Sequence, residues 1–354
     1  MKKVKRRSLM VAGVATALSL SLVLSGCSSQ SASTSKAYKY GSITIPAKNG
    51  ALCGAANYVA YEKGFFKKEG LKANLVAKPT NISDLEAGFA SGKYDALNGD
   101  FQYLPAIQNG AKIKAIGGLH QGCIKVLVPQ NSAIHTLKQL KGKAIGTPGE
   151  GSTAQNVAAI ALNHVGINPQ TGVQWKVYDY DLLSQAAVKG QVAAIATVDP
   201  FAYQAQKQDH FRTLVDNGNN SGMSGMSSKS MSALGMKKNG TCCYLYVSDK
   251  LVQQNPKKAA AIARAYQEAA QWISKHPEAT AKIELDKKYV ASSKFVTVQN
   301  VTNLLKSYRW NFTTTRSKSD LTYYINQLKK TGFLKSDTNT QALLKEAYYD
   351  PFSK

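Results

Sequence analysis

Acidic residues are scarce. The 354-residue chain carries 21 Asp and Glu against 45 Lys and Arg, a formal net charge of +24. Such a balance fits a nucleic-acid partner, but the lysines are spread along the chain and no basic run is interleaved with aromatics, which argues against a single-strand binder. A solvated surface facing an anionic cell wall or membrane accounts for the charge instead. No two of the 5 cysteines are spaced Cys-x-x-Cys, which argues against a zinc ribbon or a thioredoxin-type site. No Ser, His and Asp stand in a recognisable triad pattern, so no catalytic residue is assigned. After the first 26 residues no apolar run is long enough to span a membrane.

What is present begins at the N-terminus. Met1-Lys-Lys-Val-Lys-Arg-Arg7 is a basic start, an apolar run follows over 9–24, and the segment ends Leu-Ser-Gly-Cys27. This is the pattern of an export signal. Its ending resembles the lipobox of bacterial lipoproteins, which implies that residues 1–26 are removed, that Cys27 carries the lipid (palmitate among its acyl chains), and that the Ser/Thr-rich stretch 27–41 is a tether. The removed segment holds five positive charges (Lys2, Lys3, Lys5, Arg6, Arg7), leaving about +19 on the mature chain (24 minus 5). The remaining length is ample for more than one domain. Export also permits disulfides among Cys53, Cys123, Cys242 and Cys243.

Along the chain, short apolar strands alternate with helical stretches. Strands are expected over 42–45, 71–77, 94–97, 112–117 and 123–128, with helices over 55–63 and 83–89 between them. The pattern restarts with strands near 144–146, 175–178, 192–198 and 211–215 and helices over 153–165, 181–188 and 199–206. Two successive α/β units imply two lobes, each with a mainly parallel sheet covered on both faces. Segment 218–240 is rich in Ser, Gly and Met and breaks the pattern; its four methionines, Met223, Met226, Met231 and Met236, could extend a soft-metal site or simply belong to a low-complexity loop. A strand over 242–247 follows, and from Pro256 the chain reads as mainly helical. Residues 42–128 with 241–354 are assigned to lobe one and 129–240 to lobe two, joined by two crossing segments that form a hinge.

Three blocks carry a family resemblance. Tyr61-Glu-Lys-Gly-Phe-Phe-Lys-Lys-Glu-Gly-Leu71, Glu86-Ala-Gly-Phe-Ala-Ser-Gly-Lys-Tyr-Asp95 and Asn131-Ser-Ala-Ile-His-Thr-Leu-Lys-Gln-Leu-Lys-Gly-Lys143 resemble, in order, motifs of the substrate-binding proteins of nitrate, sulfonate, taurine and thiamine-precursor ABC importers (SsuA-like, NMT1/THI5-like). The resemblance implies a periplasmic-binding-protein type II fold with a ligand held between two lobes. It further implies an ABC permease and ATPase as partners, a lipid-anchored place on the extracytoplasmic face of the membrane, a monomer, and no cofactor.

In open α/β sheets ligands sit beyond the carboxyl ends of the strands. That rule marks Cys53 and Gly54, Asn98 and Asp100, His120 and Cys123, Gly151, Ser152 and Thr153, and Asp199 as candidate ligand-binding residues. The turn 146–153 before a helix offers N–H groups at the positive end of the helix dipole. The candidate loops hold Asp100, Glu150 and Asp199 and no Arg, with His120 the one cationic group, so a neutral or zwitterionic ligand, an amine or a pyrimidine fits better than a bare oxyanion. Asp199 before Pro200 also reads as an N-cap. Cys53 and Cys123 fall on two pocket loops: a Cys53–Cys123 disulfide, a vicinal Cys242–Cys243 ring, and a thiol-lined pocket for a soft metal, organometal or sulfur-containing ligand remain open. A pyrimidine synthase-like enzyme on the same fold, and a sensor or adhesin without transport, are the alternatives to a solute receptor.

Overall fold

The structure, a computed structural model, describes residues 38–79, 82–218 and 240–353. The export signal, Cys27, most of the tether and the four methionines lie outside these residues. No helix among the described residues is long and apolar enough to cross a membrane.

The first unit opens with strand β1 (Ser42–Lys48), which pairs in parallel with β2 (Lys72–Ala77). Between them helix Ala55–Glu62 buries Ala55, Ala56, Tyr58, Val59 and Ala60, and the chain reverses at Gly64, whose φ of 73° suits a residue without Cβ. Strands β3 (Ala96–Asp100) and β4 (Ile113–Gln121) follow. The chain then passes into a second sheet formed by β5 (Ile124–Pro129), β6 (Ala144–Thr147), β7 (Gln174–Val177), β8 (Ala194–Val198) and β9 (Phe211–Asp216), in the order β7-β6-β8-β5-β9. It returns as β10 (Cys243–Ser248), which inserts between β3 and β4, and β11 (Arg309–Thr313) adds the far edge.

The β1–β2 pair is parallel, and in the five-stranded sheet β5 alone runs against the other four strands, but every pair in the four-stranded sheet is antiparallel. β5 is antiparallel to both β8 and β9, and β10 is antiparallel to both β3 and β4. The reason is topological. Each is the strand on which the chain enters a sheet from the other lobe, so it enters from the opposite end and runs against its neighbours. The crossing also comes earlier than expected: the boundary at 128/129 falls inside β5, and the passage between sheets is at Gly122–Cys123.

The C-terminal third is helical as expected, with one exception. Helix Pro256–Lys275 packs on helix Ala55–Glu62 and on β11. β11 itself was hidden in a helical stretch: Trp310 and Phe312 point inward and Asn311 outward, the alternation of a strand, but over five residues only. Helix Ser317–Thr331 crosses to the other lobe and touches helix Thr153–His164. From the first lobe's side, Phe101 stacks on Tyr324 of that helix with ring centroids 3.9 Å apart.

Candidate functional site

The carboxyl ends of β3, β6 and β8 and the two crossing points converge on a cleft with two connected chambers. The inner one, about 70 Å³, is lined by Cys53, Asn98, Asp100, Cys123, Ser152, Thr153 and Cys243, among others. The outer one, about 300 Å³, shares Lys78, Gln102, Ser152 and Tyr180 with it and adds Tyr103, Glu150 and Asp179. Six of the ten residues singled out from sequence (Cys53, Asn98, Asp100, Cys123, Ser152, Thr153) therefore share one cavity.

The other four stand behind it. A Cβ on Gly54 would lie 2.8 Å from the Tyr58 hydroxyl, so this glycine serves the packing of Tyr58. Gly151 holds a φ of 68° and its N–H donates to Gln155 at 2.6 Å. His120 is buried on β4 against Trp310 and Tyr308, with ring centroids 4.4 and 5.7 Å away. Asp199 is fully buried in an ion pair with Lys125, and its carboxylate also accepts from the Tyr308 hydroxyl at 3.0 Å. It makes no side-chain cap on the following helix. Both contacts are to Oδ2; Oδ1 is buried without a hydrogen-bond partner among the described residues.

The N–H seat at the start of helix Thr153–His164 is taken up from within the protein. Ser152 N–H donates to the Gly149 carbonyl at 3.2 Å, and Thr153 N–H and hydroxyl donate to Gln102 Oε1 at 3.0 and 3.2 Å. Gln102 follows β3 of the first sheet, and Thr153 follows β6 of the second. The Leu52 N–H likewise donates to the Asp199 carbonyl at 3.1 Å. The lobes are closed on each other through these bonds.

The electrostatics also differ from the expectation of an acidic pocket with His120 as sole cation. Lys78, just past β2, lines both chambers and reaches the Asn98 carbonyl at 3.4 Å. Burial pulls its ammonium down, but Tyr103, Asp100, Cys53 and Cys243 outweigh burial and hold it above its usual range. Burial pushes the Asp100 carboxyl up to about 7, against the pull of the Thr153 hydroxyl and Lys78. The cleft thus presents a firm cation beside a carboxyl that burial drives toward its protonated form. The carboxyl-end rule applied to β2 points to Lys78, just before Pro79.

No disulfide joins the cysteines among the described residues. Cys53 and Cys242 are drawn well below the usual thiol range, each first by a hydrogen bond from Cys123, while Cys123 and Cys243 are pushed well above it by donating to their neighbours. Cys242 Sγ lies 3.7 Å from Cys243 Sγ. The donor atoms of His120, Cys123, Cys242 and Cys243 all lie within 4.8 Å of one another.

The sequence pattern described as "NMT1/THI5 like" matches residues 54–280, more than half of the chain. The chain belongs to this family. No curated protein matches this NMT1/THI5-like chain. Solved structures of the same fold include the periplasmic aliphatic sulphonate binding protein SsuA from Escherichia coli, 16% identical over 89% of this chain and 92% of that one, TM-score 0.65. The periplasmic nitrate-binding protein NrtA from Synechocystis PCC 6803 is 14% identical over 87% and 85%, TM-score 0.66. A ligand-binding component of an ABC-type import system from Staphylococcus aureus, with zinc bound, is 15% identical over 88% and 96%, TM-score 0.65. These likenesses establish the two-lobed periplasmic-binding-protein type II fold for this NMT1/THI5-like protein.

Proposed function

We propose that the protein is the solute-binding lipoprotein of an ABC importer. It is held through Cys27 on the extracytoplasmic face of the membrane, works as a monomer, and hands a small organic solute to the permease without turning it over. Residues 42–121 with the chain after β9 form lobe one, β5 to β9 form lobe two, and the segments before β5 and before β10 are the hinge. The observation that carries this reading is the cleft itself, where Lys78, Asp100 and Gln102 of one lobe face Ser152, Thr153 and Tyr180 of the other. Paired cation and carboxyl suit a zwitterion or a sulfonate bearing an amine, and Tyr103 and Tyr180 offer ring faces to a planar portion such as a pyrimidine.

The test is a thermal-shift screen of purified protein against zwitterionic sulfonates, amines and pyrimidines, followed by calorimetry. A saturable shift with a stoichiometry of one and no product formed is expected. The absence of any shift over these classes, or turnover of a pyrimidine precursor, overturns the reading. A second reading takes a soft metal as ligand; what favours it is that Cys53, Cys123 and Cys243 form the floor of the inner chamber, and a protein of the same fold holds zinc.

A further inference from the structure

We propose that His120, Cys123, Cys242 and Cys243 form a four-coordinate site for a thiophilic d¹⁰ ion of the Zn²⁺ and Cd²⁺ class, behind the cleft at the hinge. The proposal rests on the second reading above and deepens it: it names the donor set and moves the ion from the chamber floor to the layer beneath.

Three observations converge. First, both ring nitrogens of His120 are buried and have no hydrogen-bond partner among the described residues, in a side chain only 2% exposed. A buried imidazole with neither nitrogen paired is destabilising, and a metal bond to one nitrogen removes part of that cost. Second, the four donors are within 4.8 Å of one another. Tetrahedral coordination at about 2.3 Å to sulfur and about 2.0 Å to nitrogen needs donors roughly 3.5–3.8 Å apart. The Cys242–Cys243 pair, at 3.7 Å, already meets that, and side-chain rotations close the rest.

Third, the backbone explains how two neighbours in sequence aim at one point. In a regular strand successive side chains face opposite ways. Cys243, the first residue of β10, pairs with His120 across the ladder. Cys242 precedes the strand and is not bound by that alternation; its N–H donates to the His120 carbonyl at 3.2 Å, and its sulfur lies 3.7 Å from that of Cys243.

Three thiols with one imidazole select a soft or borderline ion over Mg²⁺ or Ca²⁺. Binding forms three metal–sulfur bonds and one metal–nitrogen bond and sends the protons of the three thiols to solvent, with no change of oxidation state. Cys53, which contacts Cys123 and Cys243, stands on the cleft side, on the path of entry. Because Cys123 leads into β5 and Cys242 into β10, a bound ion ties together the two chain crossings.

The test uses the reduced mature protein, titrated with Cd²⁺ and Co²⁺ and labelled with a thiol reagent before peptide mapping. The expected result is one ion per chain, a tetrahedral Co²⁺ spectrum with thiolate charge-transfer bands, and protection of Cys123, Cys242 and Cys243 while Cys53 still reacts. Cys242→Ser should lower the charge-transfer intensity by about a third, one of three thiolate ligands being lost, and His120→Ala should shift the Co²⁺ d–d bands. Because the unaltered chain supplies stoichiometry and protection, a variant that fails to fold does not empty the test. Protection of Cys53, Cys123 and Cys243 with Cys242 reactive overturns this site but leaves the soft-metal reading standing. No stoichiometric binding at all overturns both, and neither result touches the organic-solute screen.

Discussion

Glu284 is fully buried and neither carboxylate oxygen has a partner among the described residues. Burial holds its carboxyl well above the usual range. The folded-state value is raised, so the stability this group allows is present in full below the ordinary carboxylate range. It is lost progressively as pH rises toward the folded-state value. Glu284→Gln removes the ionisation and should raise the melting temperature by a few degrees at neutral pH and by less near pH 5, measured by calorimetry across that range. A gain that does not depend on pH would show that the carboxyl stays ionised. Asp100 follows the same sign over a defined window, between the ordinary carboxylate range and about 7. Denaturant unfolding of the solute-free protein should lose stability across that interval, and Asp100→Asn should flatten the slope. Asp100 and Asp199 looked alike as acids after strands, and only the fold shows that Lys125, three residues beyond Gly122 on another strand, neutralises one of them.

Elements were more legible than residues because periodicity is local and partnership is not. Helix Thr153–His164 and its Ser152 cap, whose oxygen accepts the Gln155 N–H at 3.3 Å, follow from the Gly-rich turn and the run of helix formers. What occupies the N–H groups next to that cap was beyond reach, since Gln102 lies 51 positions away. Gln102→Leu tests that contact. It leaves the Thr153 N–H without its acceptor, while the hydroxyl still has Asp100, and should cost about 1–3 kcal/mol in urea unfolding if the cleft stays dry. A change near zero would mean that water substitutes for the amide at no loss. The antiparallel insertion of β5 and β10 was illegible for a related reason: strand direction depends on which end of a sheet the chain enters, and the composition of an apolar strand does not encode it.

At the scale of the molecule, two crossing segments alone would form a free hinge, but this protein has a third link. Helix Ser317–Thr331 leans on helix Thr153–His164 of lobe two, its end is held where Gln170 Nε2 donates to the Thr331 carbonyl at 2.9 Å, and its Tyr324 stacks on Phe101 of lobe one. An opening motion must slide or break these contacts, so the helix limits how far the cleft gapes. Tyr324→Leu keeps an apolar side chain at the position and removes the stack, worth about 0.5–1.5 kcal/mol beyond burial. That is a small part of the stability of a domain this size but a large part of an open–closed balance of a few kcal/mol. Small-angle scattering should therefore give the solute-free variant a larger radius of gyration than the parent, while the two solute-saturated forms coincide. If the solute-free forms also coincide, the helix rides with lobe one and the hinge is set by the crossings before β5 and before β10 alone.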